Sequence, residues 1–260
     1  MKKFAFLLFV LLPLLQSCSS DDAGVAEPEP QLTTNGTVLK RTISTSGPNV
    51  NTSDYYYNGN KLEKMVSSTG NRIEYTYTGS LITKTQYFDS ANISTDITNF
   101  QYNPSGKMTQ RVTVNPTNNT GYRCELIYNS DGTVSVLGYQ GDGNAQNTQI
   151  INKKAFLFPN GDVEKIEEYV VVNGNNHTRT RYYTYDDKNS PTNAILGYNK
   201  IKFWDTGTYG NSHNNTAILF TTTENSTTST SNLTYTYNSF DYLVTASYAG
   251  ISIEYFYLAN

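Results

Sequence analysis

Residues that usually carry chemistry are scarce in this chain of 260, with two Cys, two His, one Trp and three Met. None of the His or Cys stands at metal-ligand spacing, and no Gly-x-Ser-x-Gly elbow supplies a nucleophile. Charge is also thin at 16%, and 19 Lys plus Arg against 22 Asp plus Glu give a formal −3. That balance leaves no basic footprint, so no nucleic-acid partner is expected. Few prolines and low charge argue against general disorder. No window sustains a 3.6-residue apolar period, so little helix is expected. The apolar run of residues 4–15 is too short, at ~1.5 Å per residue, to cross ~30 Å of hydrocarbon. Tyrosine is what the chain has in excess, 22 residues of it.

The N-terminus reads as an address. Lys2 and Lys3 precede the apolar run, which Pro13 interrupts, as in the core of a signal peptide. Leu15-Gln16-Ser17-Cys18 then resembles the lipobox of bacterial lipoproteins. The resemblance implies removal of residues 1–17 and a diacylglycerol on Cys18. Ser19-Ser20-Asp21-Asp22 resemble the acidic export signal of Bacteroidota-type surface lipoproteins. By that resemblance the protein is anchored in the outer membrane by lipid and exposed on the cell surface; a merely soluble tether is the alternative. Residues 18–35 hold little to bury and are expected to be an extended tether reaching roughly 50 Å at ~3.3 Å per residue. An acylated Cys18 leaves Cys124 without a disulfide partner. Cys124 lies in the strand-like Tyr122-Arg123-Cys124-Glu125-Leu126 and reads as a small buried side chain.

Residues 36–260 read as a single repeat domain. Large apolar residues recur two apart at Tyr55/Tyr57, Tyr75/Tyr77, Phe100/Tyr102, Leu126/Tyr128, Phe156/Phe158, Tyr183/Tyr185, Tyr235/Tyr237 and Tyr255/Tyr257. A spacing of two places both side chains on one face of a strand. Successive pairs are about 20 to 30 residues apart, and one gap of roughly twice that length suggests a degenerate unit between Ile195 and Asn232. Turn signals follow most pairs, among them Asn58-Gly59, Asn103-Pro104-Ser105-Gly106 and Asn129-Ser130-Asp131-Gly132, and a second strand follows each turn. The fold expected is all-β, an antiparallel meander of roughly fourteen to eighteen strands. Accumulated twist should roll it around a tyrosine-rich inner face, with a closed barrel or a split sandwich as alternatives.

Tyr55-Tyr56-Tyr57-Asn58-Gly59-Asn60-Lys61-Leu62 and Tyr183-Thr184-Tyr185-Asp186-Asp187 resemble the YD-repeat (rearrangement hot spot) proteins and short surface lipoproteins related to them. Only Tyr185-Asp186 keeps the full Tyr-Asp pair. The resemblance implies an architecture of spiralling strands and supplies no catalytic residue. The repeats are too few for the toxin-enclosing shell of the long members.

Candidate chemistry is weak. His177 and His213 sit in Asn- and Gly-rich segments and read as exposed loop residues. Glu167 and Glu168 are strand neighbours that point to opposite faces, better suited to pairing with Lys and Arg than to glycoside cleavage. Asp186-Asp187 reads as an Asx-type turn more than a calcium site, and Gly141-Asp142-Gly143-Asn144, which lacks EF-hand spacing, reads as a flexible hairpin tip; no metal or cofactor is expected. Residues 221–232, rich in Thr, Ser and Asn, read as a solvated hairpin or loop. Asp89-Ser90-Ala91 resembles a short O-glycan acceptor, though a plain loop explains it. Most tyrosines should fill the core. Trp204, Tyr139, Tyr209 and Tyr248 fall outside the paired positions and are the candidates for exposed ligand contacts. The functional expectation is a non-enzymatic surface lipoprotein that binds a polysaccharide or a protein. A glycan hydrolase using distant carboxylates and a purely structural envelope component are the alternatives.

Overall fold

A computed structural model describes residues 32–208 and 210–259. The leader, Cys18, Ser19, Ser20, Asp21, Asp22 and Tyr209 lie outside the described residues. The described residues form eighteen strands of one antiparallel sheet, and a single 3-10 turn at Tyr198–Lys200 is their helical content. In chain order the first nine are β1 (Leu32–Thr33), β2 (Leu39–Ser46), β3 (Asn49–Asn58), β4 (Lys61–Ser67), β5 (Arg72–Thr78), β6 (Leu81–Phe88), β7 (Ser94–Tyr102), β8 (Met108–Asn115) and β9 (Thr120–Tyr128). The rest are β10 (Val134–Asp142), β11 (Gln146–Leu157), β12 (Val163–Val172), β13 (Asn175–Asn189), β14 (His213–Thr222), β15 (Thr228–Asn232), β16 (Thr234–Tyr237), β17 (Leu243–Tyr248) and β18 (Ile251–Leu258). Sequence neighbours pair from β2 to β15 and again from β16 to β18, as a meander requires.

The sheet rolls until its ends nearly meet. β18 pairs with β2, Tyr255 standing opposite Thr42, so the last strand completes the first hairpin. β1 adds to β18 through Leu32 and Thr33, and the Asn238 amide donates to the carbonyls of Thr34 and Gly36 at 2.8 and 2.9 Å. A seam falls at Leu233. Before it β15 pairs with β14, after it β16 pairs with β17, and no pairing joins β15 to β16. The result is a barrel-like sheet with one discontinuity, the closed-barrel alternative carried almost to completion.

Alternation along each strand decides which face is inside. On β9 and β10, Cys124, Leu126, Val134 and Val136 are buried, while Arg123, Glu125 and Ser135 between them point outward. The outer wall is polar and paired, with ion pairs Arg41–Asp54 at 2.6 Å, Lys165–Glu167 at 2.7 Å, and Arg123–Glu125. Amines also cover its outward rings, as Lys64 does over Tyr56 at 4.7 Å. Charged groups on a lipid-facing wall cost ~2–4 kcal/mol each near the bilayer midplane.

Tyrosine hydroxyls tie one hairpin to the next. Within a unit, the second tyrosine of the pair sends its phenol inward and back to the buried residue that begins the second strand of the preceding unit. Tyr57 donates to Leu39 O at 2.6 Å, Tyr102 to Ile82 O at 2.7 Å, and Tyr128 to Met108 O at 3.0 Å. Tyr185 donates to Val163 O at 2.9 Å and Tyr257 to Leu243 O at 2.6 Å, while the Tyr77 hydroxyl accepts the Leu62 N–H at 3.1 Å. All six apolar residues so reached are at most 3% exposed. Register shifts precede the second tyrosine, as at Tyr56/Tyr57, Thr76/Tyr77, Gln101/Tyr102 and Thr184/Tyr185. Such bulges sharpen local twist and re-aim a side chain.

One reading of the repeat needs correction. In the fifth unit the inward residues are Ala155 and Leu157, whereas Phe156 and Phe158 face outward and Phe158 is exposed. The turn hydrogen bonds explain it: Phe158 N–H to Asp162 O copies Asn129 N–H to Thr133 O, so Leu157 occupies the place of Tyr128. One residue of slip reverses the face. The degenerate unit expected between Ile195 and Asn232 is present as the β14–β15 hairpin, preceded by an insertion, residues 190–212, that leaves the sheet. Residues 221–232 do form a hairpin, β14 to β15.

Tyr102→Phe should lower stability by about 1 kcal/mol, the net worth of one hydrogen bond, whereas Tyr56→Phe, on the outer wall, should leave it unchanged. Urea unfolding of the two variants checks this; equal losses would contradict the inter-unit clip.

Candidate functional site: a plugged lumen

The segment between β13 and β14 folds into the barrel. Ser190 and Pro191 end the strand, since proline cannot donate to a ladder, and Leu196 N–H then reaches Asn60 O at 2.9 Å. Gly197, at φ +72°, presses against β6 so closely that a Cβ would meet Ser80 O at 2.4 Å. Only glycine fits both the left-handed backbone and that approach. Tyr198 then packs against Tyr75, ring centroids 6.5 Å apart, and Phe203 meets Phe100 edge-on at 6.2 Å. Trp204 and Asp205, each 2% exposed, lie deepest.

Asp205 anchors this plug. Its carboxylate pairs with Arg111 and accepts the Tyr122 hydroxyl at 2.8 Å, and its backbone carbonyl accepts Lys153. The Arg111 guanidinium also lies over the Phe203 ring at 4.3 Å. Buried charges persist only when paired and hydrogen-bonded; here Arg111 from β8 pairs with the carboxylate of the plug, while Lys153 from β11 holds its backbone and lies 3.5 Å from Glu168. Burial and the Asp205 charge together hold the Cys124 thiol up at about 12, so it is an inert core residue. Burial brings the Lys202 amine down to about 8; that amine donates to Gly210 O.

The plug divides the lumen. A larger chamber of about 510 Å³ lies between it and β16 to β18, open at one side and walled by the rings of Tyr55, Tyr198, Tyr235, Tyr248 and Tyr255. A smaller apolar chamber of about 220 Å³, with Ile73, Phe100 and Phe203 in its wall, lies against β5 to β7. Tyr198 and Gly210 border both.

His213 and Asn211 line the larger chamber. His213 opens β14, and its Nδ1 lies 2.6 Å from Asp162 Oδ2. Asp162 is 1% exposed and also accepts the Ser212 N–H at 2.8 Å and the Asn160 amide at 3.0 Å. The expectation of an exposed loop histidine therefore fails for His213, which is oriented by a buried carboxylate. Asn211 is 8% exposed; its Nδ2 donates to the Tyr185 hydroxyl at 2.7 Å and its Oδ1 has no partner.

Other sequence candidates fall as follows. Trp204 is not an exposed contact but the centre of the plug, a correction with a simple cause: the insertion carries it inside. Tyr139 is half-buried on the outer wall beneath Arg123, at 4.3 Å. Tyr248, 43% exposed, stands at the rim of the larger chamber. Glu167 pairs with Lys165, and Glu168 lies 3.5 Å from Lys153. Asp142 accepts the N–H groups of Asn144 and Ala145 at 2.8 Å, and Asp186 that of Lys188 at 3.0 Å, as Asx turns do; Asp186 also accepts the Asn214 N–H from β14 at 3.1 Å. Among the described residues no group of three metal-ligating side chains assembles. Asn211 and the Asp162–His213 pair escaped the sequence reading because their partners are distant, 51 positions apart for the pair.

No family model and no curated protein matches the chain. Among solved structures it is similar to a porin-like protein from Bacteroides vulgatus, at TM-score 0.58 and 11% identity over 86% of this chain and 100% of that one. What the two share is the fold. A porin-like protein from Bacteroides uniformis overlays at 0.49 with 12% identity, covering 86% of this chain and 98% of that one. The complex TcdB2-TccC3-Cdc42 overlays at 0.29 with 13% identity, over 78% of this chain and 10% of that one, too loosely to extend the YD-repeat resemblance.

Trp204 is the chain's one tryptophan, so its emission reports on the plug directly. Blue-shifted fluorescence that iodide fails to quench is expected in the native protein, and Asp205→Ala should redden it and open it to quenching. A native spectrum already quenched by iodide would place the plug outside the barrel.

Proposed function

We propose that this chain is a lipid-anchored envelope protein, displayed on the cell surface, whose water-facing barrel binds a ligand in its lumen and forms no pore. The observation that carries the reading is the polarity of the wall, with ion pairs such as Arg41–Asp54 outside and a largely apolar and tyrosine-rich core within, closed around the buried Arg111–Asp205 pair. A transmembrane barrel has the opposite arrangement, apolar toward lipid and polar toward its channel. The plug tied down through Asp205 also fills the space a channel would need. Similarity of fold to porin-like proteins supports an envelope setting, and the lipobox resemblance at Cys18 supports attachment by acyl chains. A chamber of about 510 Å³ lies within the ~300–1,000 Å³ range of ligand sites. Among the described residues lining it none is Asp or Glu.

Three measurements test the proposal together. Cys18→Ala should release the protein from membranes in soluble form, Asp21→Ala with Asp22→Ala should reduce its cleavage by protease added to intact cells, and planar bilayers should show no conductance with it. Retention of the Cys18→Ala chain in washed membranes, unchanged shaving, or steady channel currents would each refute a part of it.

A further inference from the structure

The smaller chamber is held open by the plug that bounds it. Gly197 sits against β6 at one end of the plug and the Asp205 carboxylate pairs with Arg111 near the other, so the plug wall is fixed at two places and does not close onto β5 to β7. A gap of about 220 Å³ is far larger than the voids that a close-packed interior tolerates. Four aromatic rings line it, Tyr75 and Phe100 from the sheet and Tyr198 and Phe203 from the plug, with Ile73 and Ile201 beside them. Its polar atoms are already engaged. The phenols of Tyr75 and Tyr198 hydrogen-bond each other, and burial first, then that neighbour, holds the Tyr75 phenol well above its ordinary value. The Gly210 carbonyl accepts the Lys202 amine, and the one further side-chain hydroxyl in the lining is that of Thr85. Among the described residues lining the chamber none is Lys, Arg, His, Asp or Glu.

These walls select by chemistry. An ion entering the chamber meets no countercharge, and a sugar would give up hydrogen bonds to water that the lining does not replace. Another ring, by contrast, finds aromatic faces and edges to pack against. Size sets the upper limit, since an apolar cavity of ~150 Å³ already accommodates benzene. We infer that the smaller chamber binds a small neutral aromatic molecule, of one or two fused rings, between the plug and β5 to β7. This rests on the reading of the barrel as a lumenal binding protein and adds an apolar site beside the larger chamber.

The test uses the mature chain, residues 18–260, carrying Cys18→Ala, so that neither detergent nor an acyl chain competes for an apolar site. Saturation-transfer NMR is run with 2-naphthol, indole, 2-naphthalenesulfonate and cellobiose. At least one of the two neutral aromatics should bind, and Thr85→Phe, which fills the chamber from β6, should weaken that binding by at least about tenfold. Thr83→Phe, on the outward-facing side of the same strand, should leave it unchanged. The sulfonate, which has the same rings plus a charge, and cellobiose should show no binding that Thr85→Phe removes. Where circular dichroism shows that Thr85→Phe has lost the sheet, Thr85→Leu, a smaller filling at the same place, is read instead. Neutral-aromatic binding that survives the filling, sulfonate or cellobiose binding that the filling removes, or no binding of either neutral aromatic would each overturn the assignment. The lumenal reading falls separately, by iodide quenching of Trp204 in the native protein.

Discussion

A phenol that faces an apolar interior must find a partner for its hydroxyl, and that requirement organises this barrel. Tyr-x-Tyr spacing sends both rings inward, and the carbonyl within reach belongs to the buried residue that opens the neighbouring hairpin's second strand. Tyr57, Tyr102, Tyr128, Tyr185 and Tyr257 all solve the problem this way. Each bond is worth only about 1 kcal/mol net, yet leaving the group unpaired in the core would cost more. The arrangement therefore selects register as much as it adds stability. Each unit leans on the one before it, and β18 closes the series by supplying the strand that the first half-unit lacks.

Where the pattern breaks, the plug and the chamber beside it form. Leu157 takes a tyrosine's place and offers no hydroxyl. After Tyr185 the next unit is displaced by the insertion of residues 190–212, and Tyr237, which has no regular carbonyl to reach, donates to Asp186 instead. The insertion brings Trp204 and Asp205 inside, and the wall answers with Arg111, Tyr122 and Lys153. The same interior requirement thus produces a filled lumen, a residual chamber beside β16 to β18, and an outer wall free to be charged. A fold similar to that of a porin-like protein carries here ion pairs on its outer wall and a buried plug within.

The strands and their meander were legible because a two-residue period is a local signal and Tyr, Thr and Asn-Gly turns are locally consistent with it. Closure was legible only as an alternative: the β18–β2 pairing joins chain ends, and no local pattern marks it. The fifth unit was misread by one residue because Phe156-Leu157-Phe158 is apolar on both faces, and only the turn geometry at Phe158 and Asp162 fixes which face is inner. Trp204 was read as exposed since it stands outside the tyrosine period, but leaving the period meant leaving the sheet for the lumen. Asn211, Asp162 and His213 carry no motif; their roles arise from contacts between the plug and two separate hairpins.

Burial raises the phenols of Tyr57, Tyr102, Tyr185 and Tyr257 above their ordinary value of 10.0, and pushes Tyr128 up to about 12. A group whose folded value is raised keeps its stabilisation below the unfolded value and loses it as pH climbs above about 10, by about 1.4 kcal/mol per pH unit for each tyrosine. Phenolate absorbance followed alongside circular dichroism through an alkaline titration measures this directly. The account predicts that the clip tyrosines stay protonated past pH 10 and then ionise together, in one cooperative step that coincides with loss of the β-sheet signal. Gradual ionisation of nearly all tyrosines around pH 10 with the sheet intact would contradict it.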